Sequence, residues 1–353
     1  MKYLYDVILP CFFILLSLSA CQMTDFTDLQ PKATVIPEKA PIIQYEEGSL
    51  IPDQYIVVFK DQAIQHPQLA QYPNDKARTE TQGFGKRGET VDTQQLMRRN
   101  GIMRQEVSPL IQRHQISESC VKSVFTGRAK GAVMKLDAAQ AALLRHDEKV
   151  AFIEQDRIVA LSISPVISTP FMPSQTPESG QVAPYGINRV GGSVNFIGNP
   201  LYIFRWAWII DTGIDMDHPD LNVDHYFAAN FTTDPSVDDQ HGHGTHVAGI
   251  VAARDNGIGV KGVAAGAVVV PIKVLKNDGT GNVSDLIAGL NYAGMYAWPS
   301  DVINVSLGGA PSVALDNAIL AIANAGIKVV IASGNSGLPV LQTSPARVNH
   351  ARV

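Results

Sequence analysis

Apolar runs that end in short polar or glycine-rich motifs recur through the second half of the chain. Residues 206–210 are a continuous apolar run, further strands are predicted at 267–274, 301–306 and 327–332, and helical patterns lie between them at 243–253, 283–297 and 313–325. Apolar runs without polar alternation predict strands that are buried on both faces, and therefore an α/β fold with helices on both faces of a parallel sheet. Functional side chains of such sheets gather at the carboxyl ends of the strands.

The composition is that of a folded globular chain. Of the 353 residues, 45% are hydrophobic and 17% are charged, which excludes a disordered or coiled-coil protein, and the net charge is −5. A chain this weakly acidic has no general electrostatic attraction for nucleic acid or anionic lipid. The length predicts two or three domains, and no nucleic-acid partner is expected.

The N-terminal residues predict export. A basic start, an apolar run too short to span a bilayer and small residues before Cys21 are typical of a signal peptide. Residues 18–21, Leu-Ser-Ala-Cys, resemble a bacterial lipobox, so residues 1–21 are predicted to be a lipoprotein-type signal with a lipid on Cys21. An ordinary secretory signal is the alternative. Outside the signal the one further cysteine is Cys120, and no internal disulfide is expected.

Changes in composition predict two folded blocks. Residues 22–47 are polar and predict a tether, and residues 162–180 are rich in proline and predict a linker. The first block is residues 48–161, a small α+β domain with strands at 55–59 and 150–154 and a helix at 138–144. Its charged, glycine-rich stretch at 73–105 predicts a mobile excursion. The second block is residues 181–353.

Asp211, His243 and Asn335 are the groups in the strand-end motifs that could perform chemistry. A carboxylate at the end of a buried strand is costly unless it is paired, and a buried Asp can fix the tautomer of a His that acts as a base. The amide of Asn335 could donate a hydrogen bond to a developing oxyanion. Each motif alone has a plainer alternative: a cap or turn at Asp211, a turn around Asn335, or a metal cluster built from His241, His243 and His246.

Together and in this order, the motifs resemble those of the subtilisin-like serine peptidases. The matching segments are Asp211-Thr-Gly, His243-Gly-Thr-His-Val-Ala-Gly, Ser306-Leu-Gly-Gly and Ser333-Gly-Asn. The order of Asp before His fits that family. Two segments of the first block resemble the inhibitor-type propeptide of these enzymes, Tyr55-Ile-Val-Val-Phe-Lys60 and Ile153-Glu-Gln-Asp156. The resemblance implies a subtilisin-like fold for residues 181–353 behind an inhibitor-type propeptide domain.

The resemblance also implies roles for individual residues. Asp211 would orient His243, His243 would be the base, Asn335 would be the oxyanion donor, and His246 would be structural. Two strand segments would bracket an extended peptide; their residues are Gly279, Thr280, Gly281, Ser306, Leu307 and Gly308. The expected partners are protein or peptide substrates, with the chain's own propeptide as an intramolecular inhibitor.

Asp220 and Asn256 match positions that hold a structural calcium ion in subtilisins. Calcium prefers oxygen ligands from carboxylates, amides and backbone carbonyls, and both segments could supply them. A plain turn at each position is the alternative. No cofactor is expected for catalysis.

The nucleophile motif of the family, Gly-Thr-Ser-Met, is absent from the sequence. It comes several tens of residues after the oxyanion Asn, and 18 residues follow Asn335 here. We therefore expect this chain to lack the C-terminal strands and the catalytic Ser, and to be inactive as written.

Two functions are compatible with these features. The first is the precursor of an exported serine endopeptidase, anchored in the cell envelope by the lipid on Cys21 (in the outer membrane, if there is one) or secreted after propeptide cleavage. The alternative is a non-catalytic pseudoprotease, or a propeptide-type inhibitor or chaperone of another subtilisin-like peptidase.

Overall fold

A computed structural model describes residues 42–43, 50–71, 93–161, 180–192, 194–195 and 205–353. These residues belong to one unit of the chain, Ile36–Val353. The predicted signal peptide with Cys21, most of the tether and nearly all of the linker lie outside the described residues, and the predicted domain boundaries stay predictions. Within the described ranges, no helix combines the length and the apolarity needed to cross a membrane.

The first block contains a mostly antiparallel sheet with the strand order β1-β5-β2-β4-β3, in which β1 joins in parallel. The strands are β1 Ile42–Ile43, β2 Leu50–Phe59, β3 Val121–Thr126, β4 Lys130–Lys135 and β5 Val150–Ala160. The helices are α1 Pro67–Ala70, α2 Thr93–Arg113 and α3 Ala138–Leu144, with a 3₁₀ turn at Glu118–Cys120. One face of the sheet packs on these helices through a core that includes Val57, Met103, Leu110, Met134 and Ile153. The predicted α+β domain is confirmed.

The predicted excursion at 73–105 is wrong for its last part, where the chain forms α2. Met103, Val107 and Leu110 are at most 1% exposed, and their spacing of four and three residues places them on one helical face.

Arg99 of the same helix is also buried. Its guanidinium donates hydrogen bonds to the carbonyl oxygens of Gln68, Leu69, Gln71 and Thr126. In the sequence a buried arginine is indistinguishable from a surface charge, and the helix was therefore not predicted.

The second block contains a parallel sheet with the strand order β14-β13-β7-β11-β8, to which β9 adds beside β11. The strands are β6 Val194–Asn195, β7 Trp206–Asp211, β8 Asn222–Val223, β9 Ala229–Asn230, β10 Ala264–Ala265, β11 Val268–Lys273, β12 Thr280–Asn282, β13 Val302–Val305 and β14 Lys328–Ile331. The helices are α4 Tyr185–Arg189, α5 His243–Ala252, α6 Val283–Tyr296 and α7 Val313–Asn324, with a 3₁₀ turn at Val340–Gln342.

The central strand β7 is buried on both faces, as predicted from its unbroken apolar run. Ala207 and Ile209 belong to the core on the α5 side, whereas Trp208 and Ile210 belong to the core beneath α6 and α7. Successive side chains of a strand point to opposite faces, so both faces must be covered by helices. The predicted α/β sheet with helices on both faces is confirmed.

The first block packs on the second through α6 and α7. Ile56, Phe125 and Phe152, on the face of the first sheet away from its own helices, join the core that contains α6 and α7. The end of β5 continues past this core and pairs antiparallel with β12, where Ile158 faces Asn282. The last residues of the first block therefore reach the sheet edge at which the strand-end motifs lie.

Candidate active site

Asp211 and His243 form a hydrogen-bonded pair at the carboxyl end of β7. Asp211 is the last residue of that strand and is fully buried, and His243 is the first residue of α5. His243 Nδ1 lies 2.7 Å from Asp211 Oδ1, which also accepts a hydrogen bond from Thr212 N at 2.8 Å. Because an ionised carboxylate can only accept, Nδ1 carries the hydrogen and Nε2 is left as an acceptor.

This pairing raises the pKa of His243. The hydrogen bond with Asp211 is the largest cause, partial burial of the ring opposes it, and the charges of Asp211 and Asp239 add to the increase. The His243 side chain remains 33% exposed, so the ring is open to a substrate. A histidine whose cation is stabilised, and whose tautomer is fixed, is equipped to act as a general base.

Two glycines allow α5 to approach the end of β7 this closely. A Cβ atom on Gly244 would lie 2.0 Å from the carbonyl oxygen of Gly213, so a side chain there is sterically excluded. Gly213 itself has φ of +102°, a left-handed conformation that favours glycine. The glycines of the Asp-Thr-Gly and His-Gly-Thr-His motifs therefore bring the two catalytic candidates together.

A cavity of about 830 Å³ opens beside His243. Its wall includes Asn335, which follows β14, and the segment Ser306, Leu307 and Gly308, which follows β13. His243, which pairs with Asp211, and the segments that follow β13 and β14 thus meet at one cavity. The catalytic roles assigned to them stay predictions.

Within the described residues, no hydroxyl group is hydrogen-bonded to His243. Two serines of the cavity wall are engaged elsewhere. Ser306 Oγ accepts a hydrogen bond from Asn304 Nδ2 at 2.8 Å, and the fully buried Ser344 accepts one from Ser312 N at 2.8 Å. Neither is poised for activation by the imidazole.

The end of the first block occupies the edge that was predicted to bind substrate. Ala160 pairs with Thr280 and Val159 with Gly281, and the next residue, Leu161, donates from its backbone N–H to the carbonyl of Gly279 at 3.1 Å. Leu161 also lines the cavity beside His243. The segment therefore lies as an added strand on Gly279, Thr280 and Gly281. Its carboxyl end points toward the Asp211–His243 pair, which we call the dyad.

Two buried carboxylates of β5 cap the helices of the second block, a feature that sequence reasoning missed. Glu154 Oε2 accepts a hydrogen bond from Ala314 N at 2.9 Å in α7, and Asp156 Oδ1 accepts one from Ser284 N at 3.1 Å in α6. Both acids are fully buried. Two acidic residues two apart in a strand with apolar ends were the available signal, because they share one face of the strand.

Further acidic residues lie near the contact of β5 with the N-termini of α6 and α7. Asp285, in the first turn of α6, has a pKa raised to about 7 by burial and by the charge of Asp156. Burial also raises the pKa of Asp156 and Glu154, although hydrogen bonds partly offset it. Asp316 in α7 shows the same direction for the same first cause, burial. Carboxyl groups are therefore concentrated where the two blocks meet.

Asp220, one of the two calcium candidates, is 4% exposed and lies near the loop that carries Asn256. Its Oδ2 accepts a hydrogen bond from Val260 N at 3.2 Å, and its Oδ1 has no partner among the described residues. Asn256 Oδ1 accepts from Ile258 N at 3.1 Å. Sequence reasoning missed Gln181, whose amide contacts the carbonyl oxygens of Arg254 and Val260.

Both blocks of the chain resemble known protein families. A profile described as "Subtilase family" matches residues 208–351, and one described as "Peptidase inhibitor I9" matches residues 54–162. The "Extracellular serine proteinase" of Thermus sp. (strain Rt41A) is 32% identical over 345 residues, which cover 96% of this chain and 72% of that protein. The chain belongs to the subtilase family. The predicted membership, with an inhibitor-type propeptide block, is confirmed.

In two further comparisons the matched region covers a smaller share of the known protein. The "Alkaline serine exoprotease A" of Vibrio alginolyticus is 31% identical over 338 residues, which cover 93% of this chain and 54% of that protein. A solved structure described as "a cold adapted subtilisin-like serine proteinase" is 32% identical, with a TM-score of 0.38, over 47% of this chain and 61% of that one.

We expect the contact between β5 and β12 to weaken as the pH rises from about 5 to about 8. Folding raises the pKa of Asp285 to about 7 and moves those of Asp156 and Glu154 in the same direction. A carboxyl group whose pKa is raised by folding favours the folded state while it is protonated. Its stabilising contribution is therefore complete below the ordinary carboxyl pKa, near 4, and is lost as the pH rises through the raised pKa. Amide hydrogen exchange in Ile158–Leu161, corrected for the intrinsic pH dependence, measures this.

A matched pair of variants identifies the groups responsible. Asp285→Asn should increase the protection of this segment at pH of about 8 and flatten its pH dependence, because a partly buried carboxyl group of raised pKa is removed. Asp61→Asn, which removes an exposed carboxylate of the first block, should leave the profile unchanged. An identical slope in the parent chain and in Asp285→Asn would contradict this explanation.

Proposed function

We propose that this chain is the precursor of an exported serine endopeptidase whose nucleophilic serine is not among these 353 residues. The observation that carries the proposal is the 2.7 Å contact between His243 Nδ1 and Asp211 Oδ1. It lies beside a cavity that Asn335 and the substrate-edge segments line. Membership of the subtilase family and the names of the extracellular relatives support it.

Each candidate has a defined task in the proposed reaction. Nε2 of His243 takes the proton of the attacking hydroxyl and later returns it to the leaving amine. Asp211 holds the ring in the required tautomer and stabilises the imidazolium. The amide of Asn335 donates to the oxyanion, an interaction worth about 2.7–4 kcal/mol in subtilisin.

The first block is proposed to act as the inhibitor of the second. Its terminal residues, Ile158 to Leu161, lie on the substrate edge as an added strand, and the carboxylates of Glu154 and Asp156 anchor it on two helix N-termini. A peptide substrate would need the same backbone groups of Gly279 and Gly281. Cleavage of the chain beyond Leu161 would be the first step in vacating the edge.

We expect the purified 353-residue chain to show no peptide hydrolysis and no labelling by a fluorophosphonate probe. No hydroxyl is hydrogen-bonded to His243 in the described residues, and in subtilisin loss of the nucleophile lowers turnover about 10⁶-fold. The measurement is probe labelling together with turnover of an unstructured protein substrate.

A longer chain that carries the missing nucleophile segment is the second part of this test. Adding a subtilase C-terminal segment that contains Gly-Thr-Ser-Met should restore labelling, and His243→Ala in that background should remove it. Labelling of the 353-residue chain that disappears in His243→Ala would mean that another serine acts as nucleophile. An extended chain that folds and stays unlabelled would favour the non-catalytic alternative, an inhibitor or chaperone of another subtilase.

We also propose that Asp220 and Asn256 help to hold a structural calcium ion. Support comes from the buried, unpartnered Oδ1 of Asp220, because such an atom is costly without a donor or a cation. The loop that carries Asn256 approaches Asp220 through Val260, and carboxylate and amide oxygens are ligands of the kind that calcium prefers. Calcium would supply charge compensation in this loop and takes no part in the chemistry.

Addition of calcium should raise the melting temperature of the chain, and chelation should lower it. Binding to the folded form alone stabilises by mass action. Asp220→Asn should abolish the increase, whereas Asp217→Asn, which removes an exposed carboxylate from the same loop, should keep it. An unchanged melting temperature of the parent chain across the calcium titration would refute the site.

Cys21 lies outside the described residues, and its lipidation is proposed from the lipobox-like sequence alone. A lipid there would tether the first block to a membrane, so that cleavage beyond Leu161 would free the second block. Metabolic labelling with palmitate should be abolished in Cys21→Ala and retained in Cys11→Ala. Equal labelling of both variants would exclude the lipid anchor.

A further inference from the structure

The carboxylate of Asp239 accepts five hydrogen bonds just before α5. Its Oδ1 accepts from His241 N at 3.0 Å, from Gly242 N at 2.9 Å and from Thr212 Oγ1 at 2.9 Å. Its Oδ2 accepts from Thr245 N at 2.9 Å and from Thr245 Oγ1 at 2.7 Å. This many donors stabilise the ionised form, and they lower the pKa of Asp239 although burial acts in the opposite direction.

The hydrogen bonds of Asp239 join the two elements that carry the dyad. Thr212, which directly follows Asp211, donates its hydroxyl hydrogen to Asp239 and accepts a hydrogen bond from Gly244 N at 2.9 Å. Gly244 directly follows His243. Hydrogen bonds of Thr212, the residue after Asp211, therefore reach Gly244 directly and Gly242 through Asp239. Gly242 and Gly244 are the two residues that flank His243.

The local backbone makes such a connection necessary. Gly213 and Gly244 allow the end of β7 and the start of α5 to touch, yet glycines have no side chains to hold them together. Gly242, which precedes α5, has no side chain to cap the helix. Asp239 supplies the missing cap through Thr245 N and the missing tie through Thr212.

Asp239 also offsets an electrostatic penalty on His243. The N-terminus of a helix carries partial positive charge, which disfavours a cation at its first residue. The charges of Asp211 and Asp239 both raise the pKa of His243 and favour its cation. Another titratable neighbour in the described part of the chain is His241, whose ring centroid lies 6.4 Å from that of His243.

We propose that Asp239 is a positioning residue of the dyad, which holds His243 against Asp211 through Thr212 and stabilises the imidazolium. The proposal rests on the proposed function, because a fixed and chargeable imidazole matters for proton transfer. Asp239 itself would contact neither the substrate nor the reacting atoms.

The test is NMR of the full chain, with the ring signals of His243 identified by comparison with His243→Ala. In the parent chain we expect a strongly deshielded Nδ1 proton, shared with Asp211, and a titration midpoint above that of an ordinary histidine. Asp239→Asn should shift the midpoint to lower pH and cause loss of the Nδ1 proton signal. Asp238→Asn removes a neighbouring carboxylate whose partners are Met216 N and Gln240 Nε2, and it should change neither.

The hydroxyl of Thr212 gives a second pair of variants in case Asp239→Asn fails to fold. Thr212→Val removes the hydroxyl at nearly constant volume and should cause loss of the Nδ1 signal, whereas Thr212→Ser keeps the hydroxyl and should retain it. A lower melting temperature with unchanged midpoint and Nδ1 signal in Asp239→Asn would reduce Asp239 to a helix cap and overturn the proposal. A parent chain without the deshielded proton would instead overturn the dyad and the proposed function with it.

Discussion

A single buried carboxylate sets the requirements for the rest of the site. Asp211 is fully buried at the end of a strand whose two faces are both covered. Removal of a charge from water is unfavourable unless hydrogen bonds and a partner compensate it. His243 Nδ1 and Thr212 N provide this compensation at Oδ1, and their placement requires α5 to begin directly against β7. Oδ2 of Asp211 has no hydrogen-bond partner among the described residues. Gly213 and Gly244 permit this close approach, because a side chain on Gly244 would collide with the backbone of Gly213.

The sheet and the dyad could be predicted from the sequence because their signals are local. An unbroken apolar run such as 206–210 indicates a strand covered on both faces, and parallel strands bring their carboxyl ends to one edge. That rule predicts Asp211, the segment from Ser306 and Asn335 at one edge of the sheet. The segment from Ser306 and Asn335 line the cavity beside His243, the partner of Asp211.

The contacts that the sequence did not predict are those between distant segments. Glu154 reaches α7 across 160 residues, and Asp156 reaches α6 across 128. Nothing in the strand around Glu154 indicates which helix it caps, because the partner is set by the docking of one block on the other. Arg99 is another example: its carbonyl partners lie 27 to 31 residues away, so a buried arginine looked like surface charge.

The pairing of β5 with β12 gives the cleft a direction. Because the two strands are antiparallel, the chain from Ile158 to Leu161 runs from Asn282 toward Gly279, and its last described residue lies in the cavity of His243. A peptide held in the same way would meet the Asp211–His243 pair with its carboxyl side leading. A chain laid in the opposite sense would mismatch the same backbone donors and acceptors.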